Sequence, residues 1–198
     1  MADLLYFSYW LHGFSETNML RWFGTALRRF PFSTTAGGIS SLRIYALEYA
    51  EPPLLETYYD RGAEADAIVS AAVQFQSPDC AYLAGGYWDL WQRENGWKLV
   101  PAPALVGCYG AEFQNDLGDH PRIEIGLDSH FLPRPDQPAS AAMVKSNIRS
   151  VLRLAGELDQ ALPVLRRSLW TESGEDFAER LRSFSALQAA ERSLGAWV

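Results

Sequence analysis

The amino-acid sequence predicts an α+β fold: an antiparallel sheet that starts in the ferredoxin-like order β-α-β-β-α-β, continues as a β meander and is followed by C-terminal helices. Three local patterns lead to this prediction. Apolar and polar residues alternate over Arg122–Phe131, which is typical of a half-buried strand. Apolar residues recur at helical spacing over Glu16–Phe30. Asn95 and Gly96 stand between two aromatic runs and predict a hairpin turn, because both residue types tolerate positive φ.

The first half of the chain alternates strand patterns with two helical patterns. Ser15 is placed to cap the first helix, and Pro31 ends it because proline cannot continue a helical hydrogen-bond ladder. Pro52 and Pro53 force a turn between the next two strands, since proline restricts its own φ and the residue before it. The predicted elements are strands Leu4–Trp10, Ser41–Tyr49 and Leu54–Tyr59 and helices Glu16–Phe30 and Gly62–Phe75.

The next part of the chain is rich in β patterns. The two aromatic runs around the Asn-Gly turn form a predicted hairpin, and two further runs follow with a polar loop between them. The predicted strands of this meander are Cys80–Gln92, Trp97–Val100, Leu105–Phe113 and Arg122–Leu132.

Three prolines, Pro133, Pro135 and Pro138, mark a boundary in the chain. Before them lies the antiparallel body, residues 1–133, and after them a C-terminal helical extension, residues 134–198. We expect the extension to pack on the body, so that the two form one globular unit.

The extension is predicted to be helical throughout. One apolar stripe runs along residues 139–162, Pro163 interrupts the pattern, and Ser173 with Asp176 resembles the capped start of a last helix that reaches about Ser193. Because an amphipathic helix must bury its apolar stripe, the face of the sheet is the expected docking surface.

Composition and charge restrict the class of protein. The chain has 198 residues, of which 48% are hydrophobic and 13% aromatic, which is enough to bury a core and excludes a disordered chain. The net charge is −7, and it is uneven: residues 1–133 carry 16 acidic against 8 basic residues, whereas the extension has a net charge of +1. An acidic body repels phosphate backbones, so we expect a basic partner surface rather than nucleic acid.

Cysteine usage and hydropathy bear on location. Cys80 and Cys108 have no CxxC or zinc-type spacing, which favours buried thiols in a reducing compartment. The sequence shows no apolar run of membrane-spanning length, and its start lacks the pattern of a signal peptide. We therefore expect a cytoplasmic protein that does not engage a membrane.

Four ionisable residues on two predicted strands form a candidate site. Glu124, Asp128 and His130 share one face of the Arg122–Phe131 strand, and Asp89 joins them if the meander brings the two strands together. Carboxylates with a histidine suit a divalent cation, and a histidine held by an aspartate suits a general base. The alternative is a polar sheet face in contact with water. Which face the C-terminal helices cover decides between the two interpretations.

Two other groups are candidate partner-binding residues. The aromatic hairpin offers large contact areas, unless the tail helices cover it. The basic residues recur every four positions on one helix face, where they hold nucleic acid or the acidic face of another subunit, contact the chain's own acidic body, or form a solvated flank. The aromatic group is Trp88, Trp91 and Trp97, and the basic group is Lys145, Arg149 and Arg153.

These observations predict a non-enzymatic cytoplasmic protein-interaction domain, either an assembly subunit or an inhibitor of a basic partner. It would bind a protein partner or a second copy of itself, and no cofactor is expected. The sequence contains no GxSxG, GxGxxG or P-loop motif. The alternative is a divalent-metal-dependent hydrolase, with Asp89, Glu124, Asp128 and His130 as metal ligands and with Asp128 and His130 in the catalytic roles.

Overall fold

The computed structural model describes residues 2–93, 95–132 and 141–182. Within these ranges the chain forms an α+β fold with one seven-stranded antiparallel sheet. The strands are β1 (Leu4–Leu11), β2 (Ile39–Ala46), β3 (Leu55–Ala63), β4 (Cys80–Arg93), β5 (Trp97–Tyr109), β6 (Pro121–Leu127) and β7 (Val164–Thr171). The helices are α1 (Glu16–Arg29), α2 (Ala65–Ala72) and α3 (Ala141–Ala161), and a last helix begins at residue 177.

The strand order across the sheet is β3-β2-β4-β5-β6-β1-β7. The predicted meander is confirmed, since β4, β5 and β6 pair in sequence. The strand order does not show a ferredoxin-like topology, in which β1 would lie beside β3. Here the two strands are far apart, because β1 pairs with β6 and β7 while β3 pairs with β2 at the edge. Element order along the chain does not determine which strands become neighbours.

Helix α1 forms as its periodicity predicts. Ser15 is its N-cap, and the Ser15 backbone N–H donates to Asn18 Oδ1 at 3.0 Å, which satisfies a donor that a helix start leaves free. Phe30 is its C-cap, immediately before Pro31. The apolar stripe is buried as expected, with Met19 and Phe23 fully inaccessible to solvent. The helix therefore packs its predicted face on the sheet.

The helices in the described ranges cover one face of the sheet, which we call the covered face. Helix α1 contacts β5 and β6, and α3 contacts α1 and β4. Ile123 and Ile125 of β6 are buried in this core, so the helices cover the aliphatic face of that strand. The opposite face, which we call the open face, carries the polar residues of β6, Arg122 and Glu124. The largest fully buried side chains of the core include Tyr9, Phe23, Tyr82, Trp88 and Phe131.

The segment Arg122–Phe131 is a strand for only part of its length, which corrects the sequence prediction. Strand β6 ends at Leu127, and Asp128–His130 form a 3-10 turn. Gly126, within β6, has φ +100°, a conformation that residues with a side chain rarely adopt, and the pairing with β1 shifts register beside it. The turn directs Phe131 into the core, where only 1% of its surface is exposed.

The C-terminal extension is not all helical as predicted. Residues 164–171 form β7, an edge strand that pairs with the outer side of β1 over seven residue pairs. Pairing satisfies backbone groups of β1 that would otherwise lie unbonded. The last helix starts as expected, except that Asp176 is the capping residue and accepts the Glu179 N–H at 3.0 Å. The rest of that predicted helix and the proline boundary lie outside the described residues.

Two strands that were predicted separately, Trp97–Val100 and Leu105–Phe113, form a single strand in the structure. Strand β5 runs without a register shift from Trp97 to Tyr109 opposite β4, through both Pro101 and Pro103. Proline interrupts a strand only where its missing N–H is needed by a neighbour. No helix among the described residues is long and apolar enough to cross a membrane.

Candidate interaction surface

A polar network fixes the middle of the open face. Arg122 of β6 donates from Nε to Asp119 Oδ2 at 2.8 Å and from Nη2 to Asp119 Oδ1 at 2.6 Å. Asn115 Oδ1 accepts a second bond from Nη2 at 2.7 Å, and Asn115 Nδ2 donates to Asp119 Oδ1 at 2.7 Å. Burial by itself would lower the pKa of Arg122, but the hydrogen bonds that it donates to Asp119 and the charge of that carboxylate raise the pKa overall. The guanidinium is therefore held charged and is neutralised by a buried carboxylate.

Aromatic rings enclose this network. The Arg122 guanidinium lies 4.9 Å from the centre of the Tyr109 ring and 5.7 Å from that of Trp170, and Tyr6 stacks on Trp170 at 4.6 Å. The Tyr49 hydroxyl donates to the Tyr109 hydroxyl at 3.0 Å. Burial raises the pKa of both tyrosines, so both remain protonated. The network anchors residues 110–120 over the sheet and shapes the surface around it.

The four predicted metal ligands do not form one coordination sphere. Glu124 lies on the open face, where burial and then the charge of Glu172 raise its pKa. Asp128 lies beyond the strand end, where it accepts the Asp3 N–H at 3.2 Å and lies 3.7 Å from Arg180. No group of three or more His, Cys, Asp or Glu side chains among residues 2–93, 95–132 and 141–182 could hold a metal ion.

The two remaining predicted ligands are also separate from Glu124. Asp89 lies on β4 opposite Pro101. The His130 ring is partly buried, and its Nδ1 has no hydrogen-bond partner within the described part of the chain. Burial lowers the pKa of His130, while the charge of Asp128 opposes that effect.

The predicted aromatic group is divided between the interior and the surface. Trp88 is 1% exposed and packs near Phe30 and Phe131, so it belongs to the core and is inaccessible to a partner. Trp91 and Trp97 are half-buried. The backbone N–H of Trp91 donates to Asn147 Oδ1 at 2.9 Å, which ties α3 to the hairpin.

The predicted basic stripe is exposed on α3. Lys145 and Arg149 line a groove of about 840 Å³ between α3, β7 and the start of the last helix, whereas Arg153 is not part of its lining. The groove is otherwise largely apolar, with Phe7 and Val151 among its lining residues. Its lining reaches residues 141 and 182, and the chain beyond both positions lies outside the described residues.

The surface that sequence analysis missed is the edge of the sheet at β3. We call Glu56, Tyr58 and Asp60 the acidic edge. Exposure alternates from Leu55 to Asp60, with these three residues exposed, and Arg61, which follows them, is exposed as well. The Tyr58 hydroxyl donates to Glu56 Oε1 at 2.7 Å. Residues 47–64 carry five acidic residues and one basic residue, Arg61.

Exposed apolar side chains lie beside the acidic edge. We call Leu47, Tyr49 and Leu54 the apolar flank; they are 53%, 48% and 51% exposed, and Tyr58 is 69% exposed. The Tyr45 ring of β2 contacts one member of the flank, Tyr49, at 5.2 Å between ring centres. Isolated exposed apolar residues are ordinary, but a cluster of them marks an interaction site.

Leu47 adopts an unusual backbone conformation within this flank. Its φ is +66°, which costs a residue with a side chain roughly 1–2 kcal/mol. Two hydrogen bonds hold it there: its N–H donates to the Asp79 carbonyl at 2.8 Å, and its carbonyl accepts the Gln114 N–H at 2.7 Å. The fold thus maintains a strained turn whose leucine side chain points into solvent.

Comparison of the chain with protein-family models, with curated proteins and with solved structures finds no match. Inferences about function therefore rest on the chemistry of its own surfaces.

Proposed function

We propose that this protein is a non-enzymatic interaction domain that binds a basic protein partner through the acidic edge and the apolar flank. The observation that carries this proposal is the clustering of carboxylates and exposed apolar side chains at one edge of the sheet. Both roles that such a partner implies, subunit of an assembly and inhibitor of the partner, would use this surface. We place the interaction in the cytoplasm because both cysteines are buried free thiols.

The two parts of the surface contribute different terms to binding. Exposed ion pairs contribute only about 0.2–1 kcal/mol each, but like-signed charges steer an oppositely charged partner and set the salt dependence of association. Apolar burial supplies the affinity, since covering a leucine side chain contributes roughly 1.5–3 kcal/mol. Within the apolar flank, Leu47 and Leu54 are the most exposed side chains, with about half of each open to a partner.

Differential capture tests this proposal. The full-length protein, a double variant Glu56→Lys/Asp60→Lys and a control double variant Glu157→Lys/Glu179→Lys would each be immobilised and exposed to lysate of the cells that make the protein. The control makes the same change in net charge at the other end of the sheet, on α3 and the last helix. We expect a basic protein retained by the wild type and the control but bound at least about tenfold more weakly by the edge variant.

If the edge variant and the control retain the same proteins with the same affinity, or if wild type retains no basic protein, the acidic edge is not a partner-binding surface.

A further inference from the structure

The backbone of β3 has unpaired hydrogen-bonding groups on its outer side. The Leu47 N–H donates to the carbonyl of Asp79, the residue just before β4. Backbone groups of an antiparallel strand point to alternate sides from one residue to the next, so the odd-numbered residues of β2 bond β4. The even-numbered residues of β2 bond β3. Leu42 pairs with Thr57, which therefore points its N–H and carbonyl toward β2. Glu56 and Tyr58 then point theirs away from β2. No strand within the described residues pairs with this side of β3.

Two other strand edges in the described ranges are closed over part of their length. The Tyr109 N–H donates to the His120 carbonyl, on the side of β5 that faces β6. The backbone N–H and carbonyl groups of the odd-numbered residues of β5 therefore point away from β4. The unbroken register carries this alternation to Pro101 and Pro103, which have no N–H to offer an added strand. On the outer side of β7, the chain turns back so that the Thr171 N–H donates to the Glu175 carbonyl and Trp170 forms a bridge with Asp176.

The charges on β3 select what can pair there. A second copy of this strand would bring carboxylates against carboxylates, which is unfavourable between facing residues. A strand with alternating lysine or arginine would place a cation beside Glu56, in the part of β3 that keeps a regular register with β2. The acidic edge is therefore unsuited to self-pairing and suited to a basic extended segment.

We propose that the basic partner presents an extended segment that adds to β3 as a further antiparallel strand, with its lysine or arginine side chains on the open face and its backbone bonded to Glu56 and Tyr58. This inference rests on the proposed function and specifies how the partner is held. Strand addition gains affinity from main-chain hydrogen bonds, while the side chains supply specificity.

Three synthetic peptides test the backbone contact. The probe is a nine-residue peptide of alternating lysine and threonine. In an antiparallel pair, residues directly opposite each other share a face, so its lysine backbone nitrogens would face β3. The first control peptide carries N-methyl groups on those lysine backbone nitrogens, and the second carries them on the threonine nitrogens. We expect the probe and the second control to bind alike and the first control to bind at least about tenfold more weakly.

Amide exchange measured by nuclear magnetic resonance locates the contact. We expect the probe to slow exchange of the Glu56 and Tyr58 amides and to leave that of Thr57, which already bonds β2, unchanged. Equal binding of all three peptides would overturn strand addition while leaving a charge-based interaction intact. Absence of protection at Tyr58 under saturating probe, or no binding of the probe at all, would also overturn it, and the capture experiment would still decide the proposed function.

A pair of variants at one position provides an independent test. Tyr58→Ala removes the ring, and Tyr58→Pro removes the ring and the outward N–H, which an edge strand tolerates. We expect the proline variant to bind the probe about tenfold more weakly than the alanine variant. Equal affinities would contradict the inference. If Tyr58→Pro does not fold, the amide-exchange measurement on the wild type decides the question.

Discussion

The covered face and the open face of the sheet are stabilised by different interactions. The covered face buries large apolar side chains such as Phe23 and Trp88 against the helices. The open face is ordered in its middle by Arg122, Asp119 and Asn115 and by the rings around them. The helices bury a continuous apolar core on their side, whereas a local network covers only its surroundings. Exposed apolar side chains are therefore left at the β3 end of the open face, where a partner can use them.

The largest expected difference in stability is between substitutions at two adjacent residues that lie on opposite faces of the sheet. Trp88 is 1% exposed and Tyr87 is 38% exposed, although they are adjacent on β4. We expect Trp88→Ala to lower the free energy of unfolding by about 3–5 kcal/mol and Tyr87→Ala by about 0.5 kcal/mol or less. Chemical denaturation measures both. Similar losses for the two variants would show that the open face is packed as closely as the covered one.

In the open-face network, removing Asp119 alone should lower the free energy of unfolding more than removing both Asp119 and the charge of Arg122. Asp119→Ala leaves the Arg122 charge without its buried partner, and we expect a loss of roughly 3 kcal/mol in the free energy of unfolding. The double variant Asp119→Ala/Arg122→Met removes both charges and should be more stable than Asp119→Ala. A double variant as unstable as the sum of the two single variants would mean that the network does not act as a unit.

The smallest effect is a pH dependence near the end of β1. His120 Nδ1 accepts the Leu11 N–H at 3.0 Å, and the ring stacks on Phe14 at 3.9 Å. Burial lowers the pKa of His120 from its usual 6.5, although the charge of Asp119 opposes this. The unfolded chain then binds more protons, so this contribution to stability is present above pH 6.5 and is lost as the pH falls toward the folded-state pKa.

Thermal unfolding between pH 7.5 and pH 5 measures that loss. His120→Gln keeps an acceptor but cannot titrate, so its stability should fall less steeply with acid than that of the wild type. His12→Gln, at an exposed position, is the matched control and should follow the wild type. Parallel curves for wild type and His120→Gln would assign the acid sensitivity elsewhere.

Patterns that depend on near neighbours were predictable, and those that depend on distant pairing were not. The α1 stripe and its cap at Ser15 follow from 3.6-residue periodicity and from the unsatisfied donors of a helix start. The sequence pattern did not reveal the turn at Asp128. A strand that continued to Phe131 would bury this ring, and the turn buries it too, so the apolar residue at position 131 fits both structures. Strand β7 was mistaken for helix because an edge strand is stabilised by the neighbour it pairs with, in this case β1.

The candidate surface illustrates the same limit. Alternation of Glu56, Tyr58 and Asp60 is visible in the sequence, and it suits a strand with one exposed face. Nothing in that pattern distinguishes an edge strand from a central one, so the exposed backbone of β3 could not be inferred. The prediction that Trp88 is available to a partner failed for a related reason, since alternation separates two faces without stating which one the helices cover.

Local backbone geometry, through its two periods and its turn residues, therefore determined the α+β class and the positions of most helices and strands, and composition alone gave the acidic balance of the body. Strand order, the covered face and the exposure of the acidic edge depend on contacts between residues far apart in the chain, such as the pairing of β1 with β6 and β7. Such pairings depend on the free energy of the whole packed arrangement, which no short window of sequence contains.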